Sequence, residues 1–167
     1  MKLVDLMMND LILFDESIRS KDELFETLSR LLEKKERVTK AKKVMKDLYR
    51  RESETSTGIE DGFGIPHTKS KAVLAPTICF VHTGKISDYV GLDDKEIEWV
   101  FAIFVPQKTS DMHLEILSNL SRKLMNEAFR SQLKEATNAT EVLEIMSKPA
   151  NKKSSKKLER ELSGLKA

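Results

Sequence analysis

The chain has 167 residues, 40% of them hydrophobic and 34% charged, which suits one globular domain with room for a core. A lone cysteine, Cys79, excludes an internal disulfide and fits a reducing compartment. The net charge of +2 with 6% aromatics gives no basic, aromatic-rich platform for nucleic acid.

Residues 3–8 read as a short helical turn, followed by a strand over Leu11–Phe14. Ser20-Lys21-Asp22-Glu23 has capping-box form, with Ser20 reaching forward and Glu23 reaching back. Leu24, Leu28, Leu31 and Leu32 continue from it as a helical apolar face. Thr39 is the expected cap of a second helix, in which Ala41, Val44, Met45, Leu48 and Tyr49 share one face and which ends at Arg50-Arg51-Glu52. A polar run, Ser53–Thr57, leads into Thr57-Gly58-Ile59-Glu60-Asp61-Gly62-Phe63-Gly64-Ile65-Pro66-His67. Gly58, Gly62 and Gly64 allow positive φ or close backbone approach there, while Pro66 holds Ile65 extended.

Thr77–His82 is β-branched and aromatic, and Glu98–Val105 is apolar on both faces, as a central strand covered on two sides would be. Pro106 stops it. Ser110 is the expected cap of a helix from Asp111 with Leu114, Leu117, Leu120 and Leu124 on one side, and shorter helices are expected over 127–136 and 139–147. Helices alternating with buried strands predict an α/β sandwich with helices on both faces.

From Lys148 onward the composition changes. Residues 148–167 carry seven basic side chains against Glu159 and Glu161, a balance of +5 that leaves residues 1–147 at −3. The expected division is a domain over 1–147 and a basic C-terminal tail over 148–167, either mobile or helical through Leu158, Leu162 and Leu165. No apolar run approaches the ~20 residues of a membrane span, and Asp5 interrupts the place of a signal-peptide core. A cytoplasmic location is expected.

The glycine loop delivers one histidine to an exposed strand end. Neutral imidazole is a nucleophile near pH 7, its reference pKa being ~6.5, so His67 is a candidate phosphoryl acceptor. Such a group needs one ring nitrogen open, the other hydrogen-bonded, and donors for the phosphoryl oxygens. The competing reading of His67 is a structural histidine. Arg51 offers a planar fork for phosphate, or is a solvated arginine favoured at a helix C-terminus by the dipole. His113, in the first turn of its helix, either orients an anion or simply packs there. His82 lacks any such setting and Cys79 reads as an inert core thiol. No His or Cys pair has metal-ligand spacing and no nucleotide-binding loop is present, so neither metal nor cofactor is expected.

Together, Arg51-Glu52, the Thr57–His67 segment and His113-Leu114 resemble the enzyme IIA domain of the fructose/mannitol type, from the phosphoenolpyruvate-dependent sugar phosphotransferase system. The family reads Thr-Gly-Ile-Gly-x-Gly-Ile-Ala-Ile-Pro-His in the loop; this chain departs with Glu60 where glycine is usual and Gly64 where alanine is usual. Glu60 is expected to strain a positive-φ position and to add negative charge near the phosphoryl group. The resemblance covers roughly residues 1–147 and implies a mixed β-sheet flanked by helices on both faces. It implies that His67 accepts phosphate from the histidine-containing phosphocarrier protein and gives it to a cysteine of enzyme IIB, which works with a membrane enzyme IIC. It further implies that His113 stabilises the phosphoryl group and Arg51 supplies transition-state charge, with no direct sugar binding. Phe63 and Ile65 are read as partner-docking residues or as core. A regulatory protein-binding module of the same family is the alternative role.

Overall fold

A computed structural model describes residues 2–109 and 111–148. After a 3₁₀ turn at Leu3–Leu6 come strand β1 (Met7–Asp15), helices α1 (Lys21–Lys34) and α2 (Ala41–Glu54), and strands β2 (Phe63–Gly64), β3 (His67–Ser70), β4 (Thr77–Val90) and β5 (Glu96–Pro106). Helices α3 (Met112–Leu124), α4 (Glu127–Glu135) and α5 (Ala139–Ser147) complete the domain. The sheet runs β1-β4-β5-β2, and β3 also pairs with β5. β4 and β5 are antiparallel, while β1 on β4 and both β2 and β3 on β5 are parallel. This is the expected mixed sheet.

Two cores lie on its two faces. Leu24, Phe25, Leu28 and Leu32 of α1 and Val44 and Leu48 of α2 pack with Cys79, Val81, Val100, Ala102 and Phe104. On the other face Ile78, Phe80, Phe101 and Ile103 pack with Ile116, Leu120, Leu133, Val142 and Met146. Side chains alternate along a strand, so a continuous apolar run is what burial on both faces demands.

α1 is capped as expected at Ser20, whose Oγ accepts from Glu23 N at 3.0 Å, although Glu23 takes the Ser20 hydroxyl instead of its backbone N–H. α2 is not capped by Thr39. The N-cap position is Lys40; Thr39 turns both its N–H, at 2.8 Å, and its hydroxyl, at 3.5 Å, to Ala72 O, and Glu33 from α1 reaches across to accept from Ala41 N at 2.6 Å. α2 also runs two residues beyond the expected end, to Glu54. In α3 the buried face is Ile116, Leu120 and Leu124; Leu114 points outward, 57% exposed. The expected Ser110 cap and the tail beyond Lys148 lie outside the described residues. No helix among the described residues is long and apolar enough to cross a membrane.

β2 and β3 form one interrupted edge strand. Phe63 and Gly64 pair opposite Trp99 and Val100, then His67 through Ser70 pair opposite Ile103 through Pro106. Between them the chain leaves the ladder: Ile65 N donates to Thr57 O at 3.1 Å, and only Pro66 O still meets β5, accepting from Ile103 N at 3.0 Å. Proline is tolerable at this edge because it need donate nothing outward.

The loop is bedded against the β4–β5 turn and α4. Ile59 O accepts from Leu92 N, and Asp61 pairs with Arg130 at 3.0 Å and with Lys134. Positive φ falls at Asp61 and Gly62 and not at Glu60, which is exposed; the anticipated strain at Glu60 is absent. Two glycines are there for close approach. A Cβ on Gly58 would lie 2.2 Å from Val90 O, and one on Gly64 would lie 2.7 Å from the Tyr89 hydroxyl. Tyr89 is fully buried, so its hydroxyl occupies the space a methyl at position 64 would need. Gly58→Ala should therefore cost more than Gly64→Ala, since the first meets backbone and the second a side chain. Gly64→Ala should lower unfolding free energy by about 1–3 kcal/mol, as overpacking does, measured by urea denaturation of the two variants.

A candidate phosphoryl-acceptor site at the sheet edge

The break at Ile65–Pro66 turns the first residue of β3 toward the C-terminal end of α2. His67 is held there by both ring nitrogens. Nδ1 lies 2.8 Å from Ile65 O and Nε2 lies 3.1 Å from Arg51 Nε. A carbonyl only accepts and an arginine N–H only donates, so the proton belongs on Nδ1 and the lone pair on Nε2. Arg51 is itself steered by a bond from Nη1 to Thr55 O at 3.0 Å. That carbonyl belongs to the residue just past α2.

His67 and His113 line one open cleft of about 320 Å³ with Asp47, Arg50, Arg51, Glu54, Thr68 and Lys69. The structure thus gathers Arg51, His67 and His113 from three separate elements. Asp47 is buried and takes Lys43 at 3.1 Å and Arg50 at 2.9 Å on one oxygen. His113 sits in the first turn of α3, its Nδ1 buried without a hydrogen-bond partner among the described residues.

Both histidines are held toward the neutral form. Burial lowers the pKa of His67, the bond to Ile65 opposes that shift, and the charges of Arg51 and His113 add to it. Burial likewise lowers His113, with Lys69 assisting and Asp111 opposing. Neutral imidazole at pH 7 is the state that keeps a lone pair for attack.

Other sequence-level candidates fall outside the cleft. Phe63 is fully buried and stacks on Trp99, ring centroids 5.6 Å apart. It is core, and its docking reading is withdrawn because no atom of it reaches the surface. Ile65 is half-buried. Glu60 does not line the cleft. His82 stacks on Trp99 at 5.2 Å, away from the site, and Cys79 is buried with its thiol pushed up to about 12. No cluster able to hold a metal ion occurs among the described residues.

Sequence reading missed Asp47 and Lys69 and placed Arg50 only at the charged helix end beside Arg51. Lys69 follows His67 by two along a strand and so shares its face, while Asp47 and Arg50 precede Arg51 and Glu54 by helical steps of four. Those spacings carried the signal.

The sequence profile described as "Phosphoenolpyruvate-dependent sugar phosphotransferase system, EIIA 2" matches residues 5–148. The chain belongs to this family. EIIA components are phosphotransferases, and the match supports a phosphocarrier of the sugar phosphotransferase system. The "PTS system fructose-specific EIIA component" of Haloferax volcanii is 36% identical over 137 residues, covering 82% of this chain and 89% of the relative. The crystal structure of the nitrogen regulatory protein IIA-Ntr from Neisseria meningitidis is similar at a TM-score of 0.79 and 30% identity, over 86% of this chain and 98% of that one. A complex of Escherichia coli enzyme IIA for mannitol with phosphorylated enzyme IIB shares the fold at a TM-score of 0.70 and 20% identity, over 85% of this chain and 99% of the matched chain.

The lowered His67 pKa has a sign for stability. The unfolded ring takes its proton near the ordinary 6.5, whereas the folded ring resists it, so below that pH the unfolded state binds more protons. This contribution is complete above pH 6.5 and is lost as pH falls toward the lower folded value. An NMR titration of His67 should show a midpoint below 6.5, and His67→Gln should flatten the part of the stability loss that its protonation causes.

Proposed function

We propose that this EIIA protein accepts a phosphoryl group on Nε2 of His67 from the phosphohistidine of the histidine-containing phosphocarrier protein, and passes it to a cysteine of an enzyme IIB during sugar uptake. The observation that carries the reading is the Nδ1 bond to Ile65 O, which leaves the Nε2 lone pair facing a cleft of mixed charge. The lone pair attacks phosphorus as the donor's P–N bond breaks and its electron pair returns to the donor imidazole. Arg51 occupies Nε2 beforehand; as the new bond forms it releases the nitrogen and turns its fork to the phosphoryl oxygens. In the second step a thiolate attacks phosphorus and the Nε2–P bond breaks.

His113 donates to the phosphoryl oxygens. An unpaired buried N–H is costlier to keep than an unpaired acceptor, which favours Nδ1 of His113 as the bare nitrogen and leaves Nε2–H as the donor. Positioning and charge suffice for this chemistry, which needs no covalent group beyond the nucleophile. Ile65, together with Leu114 exposed next to His113, gives apolar surface for docking both partners. The mannitol complex supports an enzyme IIB partner, because the same scaffold engages one there.

The likeness to IIA-Ntr favours a second reading, in which phosphorylation of the same histidine switches binding to regulatory protein partners.

The protein mixed with phosphoenolpyruvate, enzyme I and the phosphocarrier protein should gain one acid-labile phosphate, seen by mass spectrometry and phosphorus NMR. His67→Ala should lose it while keeping the fold. His113→Ala should still accept phosphate but transfer it about 100-fold more slowly, the scale of a lost transition-state donor; wild-type rates would remove its role. Rapid passage to an enzyme IIB cysteine supports transport, and its absence with phosphorylation intact supports regulation.

A further inference from the structure

Behind the cleft lies a buried polar chain that the phosphoryl chemistry itself does not use. Glu52, next to Arg51 in the last turn of α2, has its side chain 5% exposed. Its Oε2 accepts from Thr57 Oγ1 at 2.7 Å and its Oε1 from Thr57 N at 3.2 Å. The Thr57 hydroxyl also meets the hydroxyl of buried Tyr89. Lys21 Nζ, 3.4 Å from Oε1, supplies the countercharge.

The chain continues to the nucleophile. Thr57 O accepts from Ile65 N at 3.1 Å, and Ile65 O accepts from His67 Nδ1 at 2.8 Å. Glu52 thus fixes both the backbone and the side chain of Thr57, Thr57 fixes the Ile65 peptide, and that peptide's carbonyl fixes the proton on His67. A carboxylate near a helix C-terminus opposes the dipole, and a buried charge is costly even when paired. Packing alone would be served as well by an apolar side chain of the same length. What an apolar side chain cannot do is hold Thr57 at two points.

We propose that Glu52 is a positioning residue that sets the tautomer and orientation of His67 through Thr57 and Ile65. The inference rests on His67 being the phosphoryl acceptor. It assigns no contact between Glu52 and the phosphoryl group.

The test uses the full chain labelled with nitrogen-15, in the wild type, Glu52→Met, Glu52→Gln and Thr57→Val. Long-range proton–nitrogen correlation reads the His67 tautomer directly. Wild type should show the proton on Nδ1. Glu52→Met should give a mixture of tautomers and a kcat for phosphoryl transfer lower by about tenfold, the lower end of what removing the partner that orients a working histidine costs, at unchanged KM for the donor. Glu52→Gln, which keeps an acceptor for Thr57 N, should recover the Nδ1–H form and most of the rate. A folded Glu52→Met with a pure Nδ1–H tautomer and kcat within about twofold of wild type, well short of that cost, would overturn the proposal. Should Glu52→Met not fold, Thr57→Val, which removes only the hydroxyl, is judged by the same two readouts. A wild type that takes no phosphate from a proven donor would instead defeat the phosphocarrier reading, while the tautomer measurement still decides the role of Glu52.

Discussion

The hydrogen bond from Nδ1 of His67 to the carbonyl of Ile65, two residues earlier, is the contact around which the site is arranged. It exists because the edge strand is broken. An unbroken strand would commit the Ile65 peptide to β5; here Pro66, which has no N–H, and the bond from Ile65 N to Thr57 O turn that peptide away. A net hydrogen bond is worth about 1 kcal/mol, which biases two tautomers by roughly fivefold given ~1.4 kcal/mol per tenfold. The guanidinium of Arg51 adds to that bias, since its N–H meets Nε2 only when Nε2 is bare. Two modest bonds in agreement hold one protonation state. A single one would leave an appreciable fraction of the wrong tautomer.

Burial works in the same direction. Moving an imidazolium out of water is unfavourable, and nearby Arg51 makes it more so. The ring therefore keeps its neutral, nucleophilic form to lower pH than a free histidine does. The same guanidinium that disfavours a positive ring would favour the negative phosphoryl group proposed to form on it. One charge acts on both states without moving far, because the carbonyl of Thr55 keeps Nη1 at the helix end.

Much of this was legible from residues in order. β5 announced itself by apolar side chains on both faces, and α1 and α2 by their leucine and valine spacing. His67 stood out through its glycine-proline setting, whereas Arg51 and His113, on two other elements, each kept a bland reading until the family resemblance joined them to it. The rest was written in contacts between distant residues. Thr39 looks like a cap until Ala72 O draws both its N–H and its hydroxyl and the N-cap position falls to Lys40. Leu114 fits the apolar stripe of α3 by spacing, yet the helix is rotated so that Ile116 takes the buried place. Phe63 follows a glycine in a loop and could face either way; Trp99 across the ladder pulls it in. Strand β4 reaches Val90 through Gly84, Lys85, Ser87 and Asp88, a polar stretch that lacks any strand signature and is held mainly by β5. Gly64 stands where its family favours alanine, and only Tyr89, 25 positions away, explains it.

The balance of charge in the cleft bears on why the proposed phosphoryl group would be passed on and not kept. Arg50, Arg51 and Lys69 face Asp47 and Glu54 there, three cations against two carboxylates, beside two histidines held toward the neutral form. A purely cationic pocket would bind a phosphoryl group more tightly but would bind free phosphate as well, and binding shared equally by ground and transition states does not speed transfer. Asp47 is the stronger restraint of the two. It is buried, it holds Arg50 and Lys43 on one oxygen, and its other oxygen has no partner among the described residues. A carboxylate so placed limits how far Arg50 can commit to an incoming anion, leaving Arg51, already at the nitrogen, as the cation best placed to follow the phosphorus. Nearly balanced charge of this kind suits the proposed carrier role, which asks that the phosphoryl group be held no more tightly than its onward transfer allows.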